Sequence, residues 1–454
     1  MPNPFTQIIM SLEYFGTDGI RGSVGGNVVN PRFASRLGVA VGKWAKGKRL
    51  ENPLVLIGRD TRPSGIELLR NLAKGFGSEN LEVVSLGVIP TPALALAVPR
   101  ERACLGVMIT ASHNPSSDNG FKFFNQLGHK ISPVDELLIE KSLPGKAPQG
   151  NAKFTESETS FSEYLQHLGK VMKGNVLDDW VIALDTANGA TSKSTRIVLE
   201  QLGAKVEQIG EASENQLIND GVGSEHPDRL AALTREKKAR LGIAHDGDGD
   251  RVVFCDEEGV VVEGDCILGI LALDAHDRDC TGSGSLVTTV YANHGLDKSM
   301  KEHGIEVQRT EVGDRCVAER MREIDAAVGG EPSGHLILQE FSSAGDGPMA
   351  ALNVVRIMLE QKRPLSELKK CVTLMPSLSG AFAIAEKKPL DELDKLGEKL
   401  SWWTNCLAEH GRAFVRYSGT ERKIRLLVEA KEETIARDAF SDLEDTLRKE
   451  LKFL

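Results

Sequence analysis

Cys104-Leu105-Gly106-Val107-Met108-Ile109-Thr110-Ala111-Ser112-His113-Asn114-Pro115 passes from an unbroken apolar run to small and turn-forming residues. A run of this kind reads as a strand buried on both faces, the pattern of parallel sheets covered by helices. The residues after it read as a tight loop at the strand's carboxyl end, where open α/β sheets hold ligands. Ser112 sits in that loop. Taken alone, a serine before Asn-Pro is equally well explained as a turn cap.

The neighbouring segments repeat the same grammar. Residues 54–57 predict a strand, 64–77 a helix capped by Ser64, and 81–86 another strand, which argues for βαβ units with helices on both faces. Residues 143–162, with Pro144, Gly145, Pro148 and Gly150 among Ser, Thr and Glu, mark a first boundary. A second run predicts a strand at 180–184, a helix at 190–202, strands at 205–209 and 241–245, and then a loop rich in aspartate. A third begins near Val260, with a helix at 265–276, a strand at 285–290, a helix at 296–303, a strand at 305–309 and a helix after Gly347. From about 372 the order becomes strand, helix, strand, strand, helix, with adjacent strands at 414–416 and 424–428. The expected fold is therefore three similar α/β domains with mixed, mostly parallel sheets plus a C-terminal α+β domain, arranged around a central cleft. The domains are placed at 1–155, 156–258, 259–371 and 372–454; the likeness of the three blocks rests on pattern, since no residue-level repeat marks it.

With 454 residues, 41% of them hydrophobic, the chain can bury several cores. Its net charge of -10 argues against nucleic acid as a partner, so any anionic ligand needs a local positive site. The 7 cysteines show no CxxC pair and are odd in number, which fits a reducing cytoplasm better than a disulfide framework. No stretch approaches the ~20 apolar residues that span a bilayer, and the start lacks the basic and apolar regions of a signal peptide, so neither membrane insertion nor secretion is expected.

Asp246-Gly247-Asp248-Gly249-Asp250-Arg251 follows the apolar strand at 241–245. Carboxylates at alternate positions share one side of an extended segment, and the glycines let the backbone curl them around one ion. Oxygen ligands alone mean Mg²⁺ or Ca²⁺; the plainer alternative, a solvated acidic turn, leaves three carboxylates repelling one another. An EF-hand is excluded because Arg251 stands where that loop needs glycine. An Asp-x-Asp phosphatase of the haloacid dehalogenase type is the runner-up, although those enzymes carry Thr or Val where this chain has Asp250.

Three further loops carry chemistry. Gly329-Gly330-Glu331-Pro332-Ser333-Gly334-His335 lets Glu331 and Ser333 accept from and donate to hydroxyls, which suits a sugar, or it is a tight turn with a surface glutamate. Arg416-Tyr417-Ser418-Gly419-Thr420-Glu421, with Arg425 beyond it, combines hydroxyls, backbone N–H groups and two arginines into a phosphate cradle, or a plain hairpin turn. Near the start, Gly16, Gly19 and Gly22 surround Arg21 in a turn suited to pointing it into a site. Lys122 is a candidate for moving protons, since a partly desolvated lysine can shift its pKa; the alternative is a solvated surface lysine. His113, His245 and His335 flank these loops without metal-ligand spacing, and structural roles are expected.

In their order along the chain, these motifs resemble the α-D-phosphohexomutase superfamily over nearly the whole sequence. The segments 14–22, 110–115 with Asn119-Gly120, and the Gly-Glu-x-Ser-Gly-His loop are most similar to its bacterial branch acting on glucosamine phosphates. The resemblance implies a cytoplasmic isomerase, monomer or homodimer, that interconverts glucosamine 6-phosphate and glucosamine 1-phosphate on the way to cell-wall precursors. It implies that Ser112 carries a phosphoryl group and that Ser112, Asp246, Asp248 and Asp250 hold Mg²⁺, making the four domains phosphoserine, metal, sugar and phosphate domains in turn. A sugar 1,6-bisphosphate would be the intermediate and activator. Arg21 and Lys122 would act at the reacting end with Arg251 near the phosphoserine; Glu331 and Ser333 would hold the sugar; and Arg416, Ser418, Gly419, Thr420 and Arg425 would grip the idle phosphate. Two positions depart from the pattern. Pro332 stands where the glucosamine branch commonly has Gln and the mannose and glucose branch Met, and Arg422 replaces the proline that usually follows Ser-Gly-Thr-Glu. The alternatives are a mannose or glucose phosphomutase, or a Mg²⁺-dependent sugar phosphatase.

Overall fold

The computed structural model describes residues 12–48, 52–213, 216–280, 282–418 and 422–454. They fall into two compact units, one within Met1–Val290 and Gln308–Lys370, the other within Tyr291–Val307 and Cys371–Leu454.

In the first unit the leading sheet has the order Ile20–Ser23, Asp118–Asn125, Leu105–Ile109, Leu54–Arg59, Glu82–Val88, Thr155–Glu156. Its centre is parallel, and every residue of Leu105–Ile109 is buried, as an apolar run with helices on both sides requires. Asp118–Asn125 runs back antiparallel to Leu105–Ile109. Helix Pro31–Gly47 starts where Asn30 accepts from the Phe33 N–H and a proline occupies the first turn. It packs backbone to backbone on Gly65–Ser78: a Cβ on Gly38 would lie 2.4 Å from the Leu72 carbonyl oxygen, so only glycine allows that approach.

The second sheet has the order Val261–Val262, Val252–Cys255, Leu241–His245, Val181–Asp185, Lys205–Ile209. A third is built on Ser285–Thr289, Val328–Gly330 and Leu336–Leu338. One local arrangement recurs in all three. The strand that enters each motif loop is paired antiparallel with the strand that leaves it, placing Ile109 opposite Phe121, His245 opposite Val252, and Gly330 opposite Leu336. The three loops are thus hairpin connections at the carboxyl ends of buried strands.

The second unit contains the antiparallel sheet Ser377–Ala383, Lys423–Ala430, Gly411–Tyr417 with helices Asp394–Leu407 and Glu433–Glu450. Ile424, Leu426 and Val428 alternate into a core with Leu396, Leu443 and Leu447. Helix His294–Glu302 belongs here as well, because Asn293 accepts from the Met375 N–H and His294 N–H donates to Glu429.

Two local expectations are corrected. Ser64 precedes its helix but has helical dihedrals and makes no capping bond; its hydroxyl accepts from Asn119 Nδ2 at 2.8 Å instead. The helix expected at 190–202 begins only at Ser194, because Ala187 and Asn188 take positive φ and turn the chain beforehand. Among the described residues no helix is long and apolar enough to cross a membrane.

Candidate active site

Ser112 is 1% exposed and has φ +52°, a left-handed conformation that costs a non-glycine residue free energy and recurs at functional loops. Its N–H donates to Thr110 Oγ1, and its Oγ donates to Asp246 Oδ2 at 2.6 Å. The serine loop and the aspartate loop are thereby joined. Arg21 reaches the same loop, with Nη1 3.4 Å from both the Ala111 carbonyl and Asn114 Oδ1, while Nη2 pairs with Asp18. His113 Nδ1 lies 3.4 Å from Ser112 Oγ; burial, with Arg251 and Arg21 nearby, brings its pKa down to about 4, so the ring is neutral.

Asp246, Asp248 and Asp250 are all buried and each offers an oxygen within 4.8 Å of the others. Asp248 Oδ1 and Asp250 Oδ1 have no hydrogen-bond partner among the described residues. Buried carboxylate oxygens without donors, converging on one point, fit a hard cation. Burial first, then repulsion from Asp250 and Asp248, pushes the Asp246 carboxyl well above the usual range. For Asp250 burial also raises the pKa, but Lys122 and His335 outweigh it and hold the group well below that range.

Lys122 enters from Asp118–Asn125 with Nζ 2.8 Å from Asp248, 2.6 Å from Asp250 and 3.1 Å from Asp18. The alternative of a solvated surface lysine is excluded, since the Lys122 side chain is 1% exposed. Burial opposes its charge, yet these three carboxylates prevail and hold the ammonium well above its ordinary pKa. The network extends further: Lys130 pairs with Asp18 and Asp314, and His335 lies 3.4 Å from Asp314 and 3.8 Å from Asp250. His335 is thus tied to the metal-loop carboxylates, whereas His245 is structural, its Nε2 3.0 Å from Thr195 Oγ1 and its Nδ1 3.2 Å from the Arg251 carbonyl.

The loop at 329–335 abuts the aspartate loop. The Val252 N–H donates to the Gly334 carbonyl at 3.0 Å, and a Cβ on Gly334, whose φ is +91°, would lie 2.2 Å from the Val252 oxygen. Glu331 accepts from the Gly313 N–H, and burial raises its pKa despite the cations around it. Ser333 is exposed. Arg251, joined to Glu225, donates its own N–H to Asp246 Oδ1.

The expected phosphate cradle lies in the second compact unit. Arg416 stands directly opposite Arg425 on paired strands; it donates to Tyr291 Oη at 2.7 Å and lies 4.6 Å from that ring's centroid. Arg425 Nε has no partner among the described residues. Ser418 is buried, and its carbonyl accepts from Lys387. Gly419 and Thr420 lie outside the described residues. Arg422 is exposed to solvent.

Asp18, Asp60, Arg62, Lys130, Asn219 and Asp314 escaped the sequence reading. Only Arg59-Asp60-Thr61-Arg62, an alternation of charges after a strand, carried a usable signal, and such a run ordinarily reads as solvated.

Comparison with known proteins places this geometry. Models described as "Phosphoglucomutase/phosphomannomutase", alpha/beta/alpha domains I, II and III, match residues 12–148, 162–259 and 263–374, and that family's C-terminal domain matches 381–445. The chain is 38% identical over 452 residues to a phosphoglucosamine mutase from Desulfovibrio desulfuricans, covering 98% of this chain and 100% of the relative. In fold it is similar to a phosphoglucomutase/phosphomannomutase family protein from Burkholderia thailandensis, with a TM-score of 0.80, 22% identity and coverage of 98% and 99% of the two chains. It is also similar, with a TM-score of 0.65, 16% identity and 99% coverage of both chains, to an Aspergillus fumigatus N-acetylphosphoglucosamine mutase solved with GlcNAc-6P and magnesium.

Proposed function

The chain belongs to the phosphoglucomutase/phosphomannomutase family, and from that premise we propose that it is a phosphoglucosamine mutase, interconverting glucosamine 6-phosphate and glucosamine 1-phosphate. The observation that carries the reading is the strained, buried Ser112 with its Oγ 2.6 Å from Asp246, beside two carboxylates, Asp248 and Asp250, that each leave one oxygen without a donor among the described residues. Ser112 is the phosphoryl carrier. In the first half-reaction its P–Oγ bond breaks and a P–O bond forms to the free sugar hydroxyl, which gives up a proton while Ser112 Oγ takes one, leaving a 1,6-bisphosphate and a free serine hydroxyl. In the second, after the bisphosphate turns around, its other P–O bond breaks, that phosphoryl joins Ser112 Oγ as the hydroxyl gives up its proton, and the released sugar oxygen takes one.

Asp246, Asp248 and Asp250, with the Ser112 side, would hold Mg²⁺, which when bound offsets charge on the transferring group. Arg21 steadies the reacting end from beside Ala111 and Asn114. Lys122, whose Nζ lies beside Asp248 and Asp250, acts at the reacting end. Glu331 and Ser333 take the sugar hydroxyls, and Arg416, Ser418, Gly419, Thr420 and Arg425 the idle phosphate. The divisions 1–155, 156–258, 259–371 and 372–454 then name the phosphoserine, metal, sugar and phosphate parts of a cytoplasmic enzyme, monomer or homodimer.

Intact mass spectrometry of the full chain tests the carrier. One added phosphoryl group is expected on the wild type and none on Ser112→Ala. A bare mass together with no turnover after priming with a 1,6-bisphosphate rejects the mutase. Inorganic phosphate release that survives Ser112→Ala but not Asp246→Asn supports a phosphatase instead. Pro332 keeps a second substrate reading in play, and kcat/KM for glucosamine, glucose and mannose phosphates decides it; preference for either of the last two overturns the glucosamine assignment.

A further inference from the structure

A serine held at φ +52° needs something to hold it, and the surrounding hydrogen bonds identify what does. Arg62 has no exposed side-chain surface. Its Nη2 donates to the carbonyls of Ser112 at 3.0 Å and Asn114 at 2.7 Å, and its Nη1 donates to the carbonyls of Asp118 at 2.7 Å and Pro115. Its Nε is fixed by Asp60 Oδ2 at 2.9 Å. The same oxygen accepts from Thr110 Oγ1, which in turn accepts from the Ser112 N–H. From the opposite direction Asn219 Nδ2 donates to the carbonyls of Ser112 at 2.8 Å and Asn114 at 2.9 Å. The Ser112 and Asn114 carbonyls therefore each receive a donor from two separate parts of the chain. Thr61 Oγ1, between Asp60 and Arg62, donates to the Asn188 carbonyl at 2.6 Å and ties the two sides together.

We infer that Arg62 and Asn219 are positioning residues for phosphoryl transfer, a clamp that fixes the Ser112 backbone so that Oγ faces Asp246. This rests on Ser112 being the phosphoryl carrier. The polar bonds of both side chains go to the serine loop, to Asp60 and to backbone, and none goes to the acidic triad, Glu331 or Arg416. Loss of the clamp thus acts on the orientation of the reacting group and leaves substrate and metal binding in place. Orientation is steep in its effect, since misplacement by about 1 Å costs about 10²-fold in rate. Lysine cannot replace Arg62, because one ammonium lacks the planar fork that spans several carbonyls.

The test uses full-length enzyme carrying Arg62→Lys or Asn219→Ala, assayed with glucosamine 6-phosphate and a 1,6-bisphosphate activator. Rates are normalised to phosphorylated Ser112 counted by intact mass, which removes any unfolded or unphosphorylated fraction. The expected result is a fall in kcat per phosphorylated site of about 10- to 100-fold, with KM and the Mg²⁺ half-saturation within about twofold of wild type. Amide exchange over residues 111–118 should quicken in both variants. If Arg62→Lys does not fold, Asn219→Ala carries the test, because Arg62 still serves both carbonyls there. An unchanged kcat per phosphorylated site, or a loss confined to KM, overturns the clamp. If the wild type shows neither phosphoserine nor turnover, the proposed function fails and the positioning role falls with it, whereas a working wild type with unaffected variants sinks the clamp alone.

Discussion

Replacing Lys122 by methionine keeps most of the side-chain volume and removes one buried ammonium. Its contacts of 2.8 Å to Asp248 and 2.6 Å to Asp250 are each worth roughly 6 kcal/mol of Coulomb energy at an effective dielectric of about 20. The net loss is smaller because the ammonium no longer has to be desolvated; deleting one partner of a buried pair costs about 3–5 kcal/mol. That loss belongs to the protein without a divalent cation. The carboxylates left behind are better ligands for an added cation once no lysine competes for the same oxygens, and binding at about 100 times Kd returns about 2.7 kcal/mol. Urea unfolding with chelator and with saturating Mg²⁺, on wild type and Lys122→Met, measures both effects. The variant should unfold at clearly lower urea in chelator, and Mg²⁺ should shift its midpoint more than it shifts the wild type. Equal midpoints in chelator, or equal Mg²⁺ shifts, would refute the view of Lys122 as the counter-ion of the acidic triad.

Two further substitutions probe the same unit. Burial raises the Asp346 carboxyl from its ordinary 3.8 to about 6, against the opposing bonds from the Met349 N–H and Tyr164. The folded state therefore holds this proton more tightly than the unfolded chain. The group's contribution to stability is full below about pH 4 and lost as pH rises toward 6, a fall on the order of 3 kcal/mol. Asp346→Asn keeps the helix cap and should gain on the wild type by that amount between those pH values in urea midpoints; a constant difference contradicts it. Gly247→Ala places a Cβ 2.7 Å from the Ser112 carbonyl oxygen, which is backbone and cannot swing aside. It should cost about 1–3 kcal/mol in stability and lower kcat at least about tenfold, and wild-type turnover would show that the serine loop has room to yield.

What was legible in the sequence was what is local. Leu105–Ile109 and Leu241–His245 are wholly buried strands, and both announced themselves as apolar runs that end in small or acidic residues. The alternation of aspartate and glycine gave the acidic triad because its geometry is set within five residues. The strand Asp118–Asn125 was not read, since it opens on Asp-Asn-Gly, a turn signal, although Phe121 and Phe123 alternate inward with Lys122 on the other face. The partners of Lys122 and Lys130 were invisible for a different reason: Asp18 and Asp314 lie more than a hundred residues from Lys130 in the chain and meet it only through the fold. Arg62 misled because a charge flanked by charges ordinarily faces water, and here the fold spends it on four carbonyls.

On the proposed reading, the ionic cluster gives a reason for a carrier hydroxyl and cation ligands to share one site. The carboxylates of Asp18, Asp248, Asp250 and Asp314 face the ammonium groups of Lys122 and Lys130 and the guanidinium of Arg21 in a water-poor interior. The three cations offset three of these four carboxylates, and an uncompensated buried ion costs several kcal/mol. A phosphoryl group on Ser112 would add about two negative charges and a divalent cation two positive ones, so the pair together leaves the cluster's charge unchanged. Ser112 Oγ 2.6 Å from Asp246 is the arrangement that admits both charges together. On that reading, the site would favour the cation when the serine is phosphorylated, and the phosphoserine when the cation is present, by the same free energy in both directions.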